Sequence, residues 1–265
     1  MSERWLTALR DQTVLLHVAD GGMSWRTEPE GQFPCSQEVR YIDMLFDTLS
    51  SVSSATMFQR LTIPVTSFAQ NCSLVWDPDT KEAALIDPGG DLGTLLEAVD
   101  VRGLTLKAVW LTHAHIDHAG ATGTLARTLD LPIVGPHPGD QFWIDALPQQ
   151  SQMFGFPQAE PFAPTQWLKD GDTVQIGAYK LDVLHCPGHT PGHVVFVEPT
   201  TRHAFVGDVL FAGSIGRTDF PGGNHADLIN AIKTKLLPLG DDITFTPGHG
   251  PESTFGEERV GNPYL

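Results

Sequence analysis

The sequence predicts an α+β protein whose sheets are covered on the outside by helices. Three observations predict it. Short runs rich in β-branched and aromatic residues, bounded by turn residues, recur from residue 61 onward. Helical patterns are spaced between those runs. One run, Leu106 to Leu111, is apolar enough to be buried on both faces, as a strand covered on two sides must be.

Residues 1 to 56 read differently from the rest. Trp5-Leu6-Thr7-Ala8-Leu9 with Val14-Leu15-Leu16 predicts a short amphipathic helix. Gly21-Gly22, Pro29, Gly31 and Pro34 then break the chain. Tyr41 to Phe46 predicts a second helix, and Ser50-Ser51-Val52-Ser53-Ser54 reads as a linker. This leader has two readings. Translation starts at Met57, or residues 1–56 form a loosely attached arm or an oligomer contact. An intact native mass that begins at Met1 ends the first reading.

From Arg60 the pattern is orderly. Leu61–Val65, Cys72–Trp76 and Ala83–Ile86 read as strands, with turns at Ala69-Gln70-Asn71 and Asp77-Pro78-Asp79. Asp91–Val101 reads as a helix with Asp91 as its N-cap. A strand at Leu106–Leu111, a helix at His118–Leu129, a strand at Leu131–Val134 and a helix at Asp140–Leu147 follow. Pro148–Pro164, rich in Gln, Phe and Pro, reads as a loop. Thr173–Ile176 and Tyr179–His185 form a hairpin around Gly177-Ala178. Val194–Val197 pairs with His203–Val206 across Pro199-Thr200-Thr201. A helix at Ala226–Leu237 and a strand at Ile243–Thr246 complete the series.

The chemistry concentrates just past the strands. Thr112-His113-Ala114-His115-Ile116-Asp117-His118 places three imidazoles and a carboxylate within six residues. Those are ligands for Zn²⁺ or non-haem iron. His113, His115 and Asp117 share parity in an extended segment, so they face one side. His118 breaks that parity and requires a bend, which the following helix supplies. His189, Asp208 and His249 each come on a short loop after a strand. The total is five histidines and two aspartates. One tetrahedral zinc uses three protein ligands and a water. Seven groups indicate two ions sharing a bridging carboxylate, in a clamp with the cations about 3.5–4 Å apart. Cys186, three residues before His189, reads as a small buried residue at a strand end.

This HxHxDH motif followed by distant His, Asp and His resembles the metallo-β-lactamase superfamily. The resemblance implies a four-layer αββα sandwich with two divalent metals at the sheet edge. It implies His113, His115 and His189 as ligands of one ion, Asp117, His118 and His249 of the other, and Asp208 as the bridge. Within the superfamily the chain is most similar to short bacterial forms of glyoxalase II, the hydroxyacylglutathione hydrolases. The shared stretches are Thr66–Cys72, Asp87-Pro88-Gly89-Gly90, Leu111-Thr112-His113, Cys186–His193 and Gly213–Phe220. They fall between Arg60 and Leu265, about three quarters of the chain. Residues 57–265 are therefore expected to form the catalytic domain. Only 16 residues follow His249, so the helical domain that helps hold glutathione in long forms is expected to be missing.

The resemblance implies hydrolysis of S-D-lactoylglutathione to D-lactate and glutathione by a metal-bound hydroxide. Zinc is the expected metal, with iron and manganese as alternatives. Asp117 would orient the hydroxide as well as bind metal. Arg217 is the candidate anchor for a glutathione carboxylate, against a reading in which it pairs with Asp219. The rival within the superfamily is a persulfide dioxygenase with one non-haem iron, because Gly216–Phe220 resembles that group too. His193 favours the hydrolase. It reads as a supporting residue rather than a ligand.

Thirty-two acidic against sixteen basic residues give a net charge of −16. That disfavours nucleic acid and anionic membrane as partners. The sequence contains neither an 18-residue apolar run nor a signal peptide pattern. Three cysteines without CxxC spacing fit a reducing cytoplasm. The sequence assigns no oligomeric state.

Overall fold

The structure is a computed structural model that describes residues 14–19, 22–27 and 57–265. The chain divides into two units, residues 1–55 and 56–265. In the first, β1 (Val14–Ala19) and β2 (Gly22–Thr27) form an antiparallel hairpin with Val14 opposite Thr27. Val14-Leu15-Leu16, expected in a helix, thus lie in a strand. The strand pairing runs in register as far as Ala19 opposite Gly22 and outweighs the weak helical spacing. The remaining expectations for the leader, at residues 5–9, 41–46 and 50–54, lie outside the described residues.

The second unit contains two large sheets. The first has the order β3 (Gln59–Val65), β4 (Gln70–Trp76), β5 (Glu82–Ile86), β6 (Thr105–Trp110) and β7 (Ile133–Val134). The second has the order β15 (Ser253–Thr254), β14 (Thr244–Pro247), β11 (His203–Gly207), β10 (Val194–Glu198), β9 (Tyr179–His185) and β8 (Thr173–Ile176). A small hairpin, β12 (Leu210–Phe211) with β13 (Ser214–Ile215), stands apart from both.

Side-chain alternation makes four layers of these sheets. In the first sheet Leu74, Leu85 and Val109 point outward into one core. There they meet Leu95 of α1 (Leu92–Asp100), Leu125 of α3 (Thr122–Leu129), Ile144 of α4 (Gln141–Asp145) and Leu147 of α5 (Leu147–Phe154). Their neighbours Val75, Ala84, Ile86 and Trp110 point the other way, into a second core. The facing Val194, Phe196 and Phe205 of the other sheet share that core. Trp110 and Phe196 meet there with ring centroids 5.8 Å apart. Val195, Val197, Ala204 and Val206 then face outward against Leu228 of α6 (His225–Ala231) and Phe255 of α7 (Phe255–Gly261). The result is the expected αββα sandwich. Burial on both faces explains why β10 and β11 carry almost continuous apolar runs.

Several element boundaries differ from expectation for identifiable reasons. The helix expected at His118–Leu129 is two pieces, α2 (Ile116–Ala119) and α3, separated at Gly120-Ala121. The Pro148–Pro164 segment is helical as far as Phe154, because Pro148 suits a first helical turn and Gly155 ends it at φ +71°. Asp91 does not cap α1 with its side chain. It is left-handed at φ 47°, and its carboxylate accepts the Thr66 amide N–H at 2.7 Å. The turn expected at residues 69–71 lies at 66–69, closed by Ala69 N–H to the Thr66 carbonyl. The helix expected to Leu237 is α-helical only to Ala231, then widens into a π-turn over Ile232–Leu236 ahead of Pro238. Among the described residues no helix is long and apolar enough to cross a membrane.

Candidate metal centre

Strand direction gathers the candidate ligands. β9 and β11 are both antiparallel to β10, and β14 is parallel to β11. So β9, β11 and β14 all end at one edge, and His189, Asp208 and His249 follow those ends. β5 and β6 are parallel as well. Asp87 follows β5, and His113 to His118 follow β6. Two contacts bring the sheets together at this edge. The Val194 N–H donates to the Thr112 carbonyl, and the Asn71 N–H to the Gly248 carbonyl, each at 2.8 Å.

All seven sequence-predicted groups converge. The ligand atoms of His113, His115 and His189 lie within 4.8 Å of one another, as do those of Asp117, His118 and His249. Asp208 stands between the two trios. Its Oδ1 is 3.3 Å from His118 Nε2, and its Oδ2 is 3.5 Å from His189 Nε2 and 3.8 Å from His249 Nε2. His249 Nε2 lies 3.1 Å from Asp117 Oδ2, and His115 Nδ1 lies 2.9 Å from His189 Nε2. Except for half-buried His249, all of these residues are buried.

The surrounding bonds fix the tautomers. A carbonyl or carboxylate only accepts, so an imidazole nitrogen facing one must carry the proton. His189 Nδ1–H donates to the Arg217 carbonyl at 2.8 Å, and His249 Nδ1–H to the Phe68 carbonyl at 3.2 Å. His118 Nδ1–H donates to Asp87 Oδ2 at 2.9 Å. The Thr112 hydroxyl donates to Asp87, which leaves it to accept from His113 Nδ1–H at 3.0 Å. In the neutral ring each of these four histidines therefore turns an Nε2 lone pair inward. This is the arrangement by which proteins prepare imidazole for a cation.

Unmatched atoms test the fit. His113 Nε2, His115 Nε2, His118 Nε2 and Asp208 Oδ1 are buried without a well-formed hydrogen bond. A buried polar group without a partner costs on the order of 1–3 kcal/mol; His113 Nε2, His118 Nε2 and Asp208 Oδ1 belong to the cluster and suit a shared cation, to which His115 offers Nδ1 instead. Charge indicates the same. Asp117 and Asp208 are held below the usual carboxylate range: burial opposes ionisation, but His118 and His249 outweigh it. Burial would lower His118, yet Asp208, Asp117 and Asp87 push it well above its ordinary value. Without a cation, imidazolium must balance two buried carboxylates. Burial and the neighbouring imidazoles hold His113 down and take His115 to about 3, leaving both neutral. The donor set suits a pair of divalent metals.

Several positioning residues were not assigned from the sequence. Asp87, which the sequence marks only as part of a stretch shared with the family, accepts from Thr112 N–H, Thr112 O–H and His118. Buried Asp140 accepts from the Ala114 amide, the Thr190 hydroxyl and the Gly192 amide, and so ties the HxH loop to the His189 loop. Gln150 accepts the Ile116 N–H at 2.9 Å and donates to the Trp143 carbonyl at 2.9 Å. His193 Nε2 accepts the Asp208 amide at 3.0 Å, which removes that lone pair from coordination. Cys186 is buried with Val195 and Leu228, and burial pushes its thiol up to about 12.

Five of the seven groups, His115, Asp117, His189, Asp208 and His249, line a cavity of about 600 Å³. Trp143 and Phe220 stand edge-on to His115 at 4.6 and 5.2 Å. Arg217 also lines the cavity. Its guanidinium donates twice to Asp219, at 2.6 Å each, and lies 4.1 Å from the Phe220 ring centre.

Comparison with known proteins places the same region in one family. The description "Metallo-beta-lactamase superfamily" matches residues 65–249. Hydroxyacylglutathione hydrolase GloC of Haemophilus influenzae is 48% identical over 204 residues, covering 77% of this chain and 96% of the relative. The crystal structure of BLEG-1 B3 metallo-beta-lactamase is 37% identical with a TM-score of 0.72, covering 79% of this chain and 99% of that one. The crystal structure of TTHA1623 in a di-iron-bound form is also 37% identical, with a TM-score of 0.71, covering 77% of this chain and 100% of that one.

Proposed function

From the premise that this chain belongs to the metallo-β-lactamase superfamily, we propose that it is a metal-dependent hydrolase of glutathione thioesters. Its reaction is that of S-D-lactoylglutathione with water, giving D-lactate and glutathione. The observation that carries the reading is the pair of ligand trios with Asp208 between them. The relative named hydroxyacylglutathione hydrolase supports the substrate class.

His113, His115 and His189 would hold one metal, Asp117, His118 and His249 the other, and Asp208 both. Zinc is the proposed metal, and the same donors suit iron or manganese. When bound, such ions supply a Lewis acid and lower the pKa of water from 15.7 toward about 7. Asp117 lines the cavity and is held as the carboxylate. Its carboxylate can therefore accept a hydrogen bond from the attacking water and orient its oxygen toward the acyl carbon. The water oxygen joins that carbon, the C–S bond breaks, and glutathione leaves as thiolate before regaining a proton. A thiolate with a pKa near about 8.5 leaves without a strong acid. Among the described residues, Arg217 is the one ionisable group in the lining apart from the candidate ligands. Trp143 and Phe220 shield His115 from bulk water, and Arg217 stands where a glutathione carboxylate can meet its remaining N–H donors.

One paired measurement tests the reading: metal identity and stoichiometry, with S-D-lactoylglutathione and glutathione persulfide under oxygen assayed on the same sample. Two metals per chain with thioester hydrolysis is the expected result. One iron with oxygen consumption would replace it with the mononuclear dioxygenase.

A further inference from the structure

The cavity beside the candidate metal centre carries more apolar side chains than a lactoyl group requires. At about 600 Å³ it falls within the roughly 300–1,000 Å³ of sites that hold drug-sized ligands. Its two ends also differ. The His115 end carries Trp143, Phe220 and Arg217. At the other end Phe211 lies 6.3 Å from the His249 ring, and Phe68 holds His249 through its carbonyl. The Phe68 ring meets Phe154 edge-on at 6.1 Å and Phe156 at 5.0 Å. Phe68 and Phe154 are 43% and 37% exposed. They form an apolar wall open to a ligand.

Glutathione does not complement that wall, because it carries two carboxylates, an ammonium group and two amides. Its charges match the Arg217 end. A lactoyl hydroxyl finds little at the aromatic end. Ser214 contributes the one hydroxyl in the lining. Gln150 has both sides of its amide engaged, with Ile116 and with Trp143. What fits against exposed phenylalanine rings is hydrocarbon, since covering apolar surface is favourable and non-directional.

Resting on the thioester reading above, we propose that the acyl group lies against Phe68 and Phe154, and that the preferred substrates are glutathione thioesters of apolar acyl chains longer than lactoyl. The bond chemistry is unchanged: water oxygen joins the acyl carbon, and the thiol takes up the proton. In an apolar pocket a single methylene changes kcat/KM by about 10–200-fold.

The test compares kcat/KM for S-hexanoylglutathione and S-D-lactoylglutathione with the full chain at measured metal content. We expect a hexanoyl-to-lactoyl ratio of about ten or more. Phe68→Ala and Phe154→Ala should each lower that ratio about threefold or more, and Phe154→Leu should lower it less. Both rings are more than a third exposed, so their truncation leaves the buried cores in place. A wild-type ratio of one or below, or a ratio unmoved by both alanine variants, overturns the inference. A strict preference for lactoyl would do so while leaving the thioester reading intact. Failure of the two-metal protein to cleave either compound overturns both.

Discussion

The two halves of the sandwich supply the candidate site in opposite ways. The first sheet delivers four groups on one loop after β6, whereas the second delivers three, singly, from the ends of β9, β11 and β14. The means of holding them differ as well. On the first loop, side chains fix the imidazoles: Asp87 holds His118 and Thr112 holds His113. For the second half's histidines backbone carbonyls do this, Arg217 for His189 and, from the turn between β3 and β4 of the first half, Phe68 for His249. One device is common to both. Gly89 packs against the Asp117 carbonyl and Gly216 against the Asp208 carbonyl, each so closely that a Cβ would overlap the peptide. The comparison teaches that the first half depends on side-chain chemistry near the loop, and the second on where strands end.

The largest expected effect comes where the halves meet. Asp208 reaches groups from both, at 3.3 Å from His118 and 3.5 Å from His189. Asp208→Ala should abolish turnover and lower metal content while the circular dichroism spectrum stays native. His115→Ala should do the same from the other half. Near-normal rates in either variant at verified metal content would show that the ligand assignment is wrong.

A smaller loss should reveal the asymmetry. Asp87→Asn weakens the anchor of His118 and removes a charge facing it. Loss of such an anchor typically lowers metal affinity or activity about 10–100-fold. No side-chain substitution removes the corresponding anchors of His189 and His249, because those are peptide carbonyls. Metal titration of Asp87→Asn should therefore show the site of Asp117, His118 and His249 weakened more than the site of His113, which Asp87 reaches only through Thr112. Undiminished affinity at both sites would show that the first loop does not depend on Asp87.

What the sequence revealed follows the same division. The HxHxDH loop is local, so its bend could be read directly, but α2 begins at Ile116 and takes Asp117, expected in the extended segment, out of that parity together with His118. His189, Asp208 and His249 were readable as groups just past strands. That they share one edge depends on β9, β11 and β14 running in one direction. The supporting polar residues left weaker traces. Gln150 sits in α5, a helix with too few apolar positions to show a helical period, and it is buried because it bonds the ligand loop's backbone. Asp91 looked like an N-cap, but a long-range bond to the Thr66 amide claims its carboxylate. Arg217 and Asp219 are paired as their spacing allowed, with Arg217 still at the cavity wall.

The smallest effect separates stability from catalysis and concerns a histidine of the second half outside the site. His203 is 1% exposed, with Nδ1 2.7 Å from the Thr244 hydroxyl and Nε2 2.9 Å from the Thr246 hydroxyl. Burial, followed by the charge of Arg60, lowers its pKa from 6.5 to about 3. The unfolded chain therefore takes up this proton more readily than the folded one. The stability that neutral His203 contributes is fully present above about pH 6.5 and drains away as pH falls toward 3, at about 1.4 kcal/mol per unit. Urea denaturation at pH 7, 6 and 5 should show that slope in the wild type and a shallower one in His203→Gln. Comparing slopes between the two proteins cancels the titration of the metal-site histidines, which they share. Equal slopes would mean that His203 takes up its proton as easily folded as unfolded, and that acid sensitivity resides in the candidate metal centre instead.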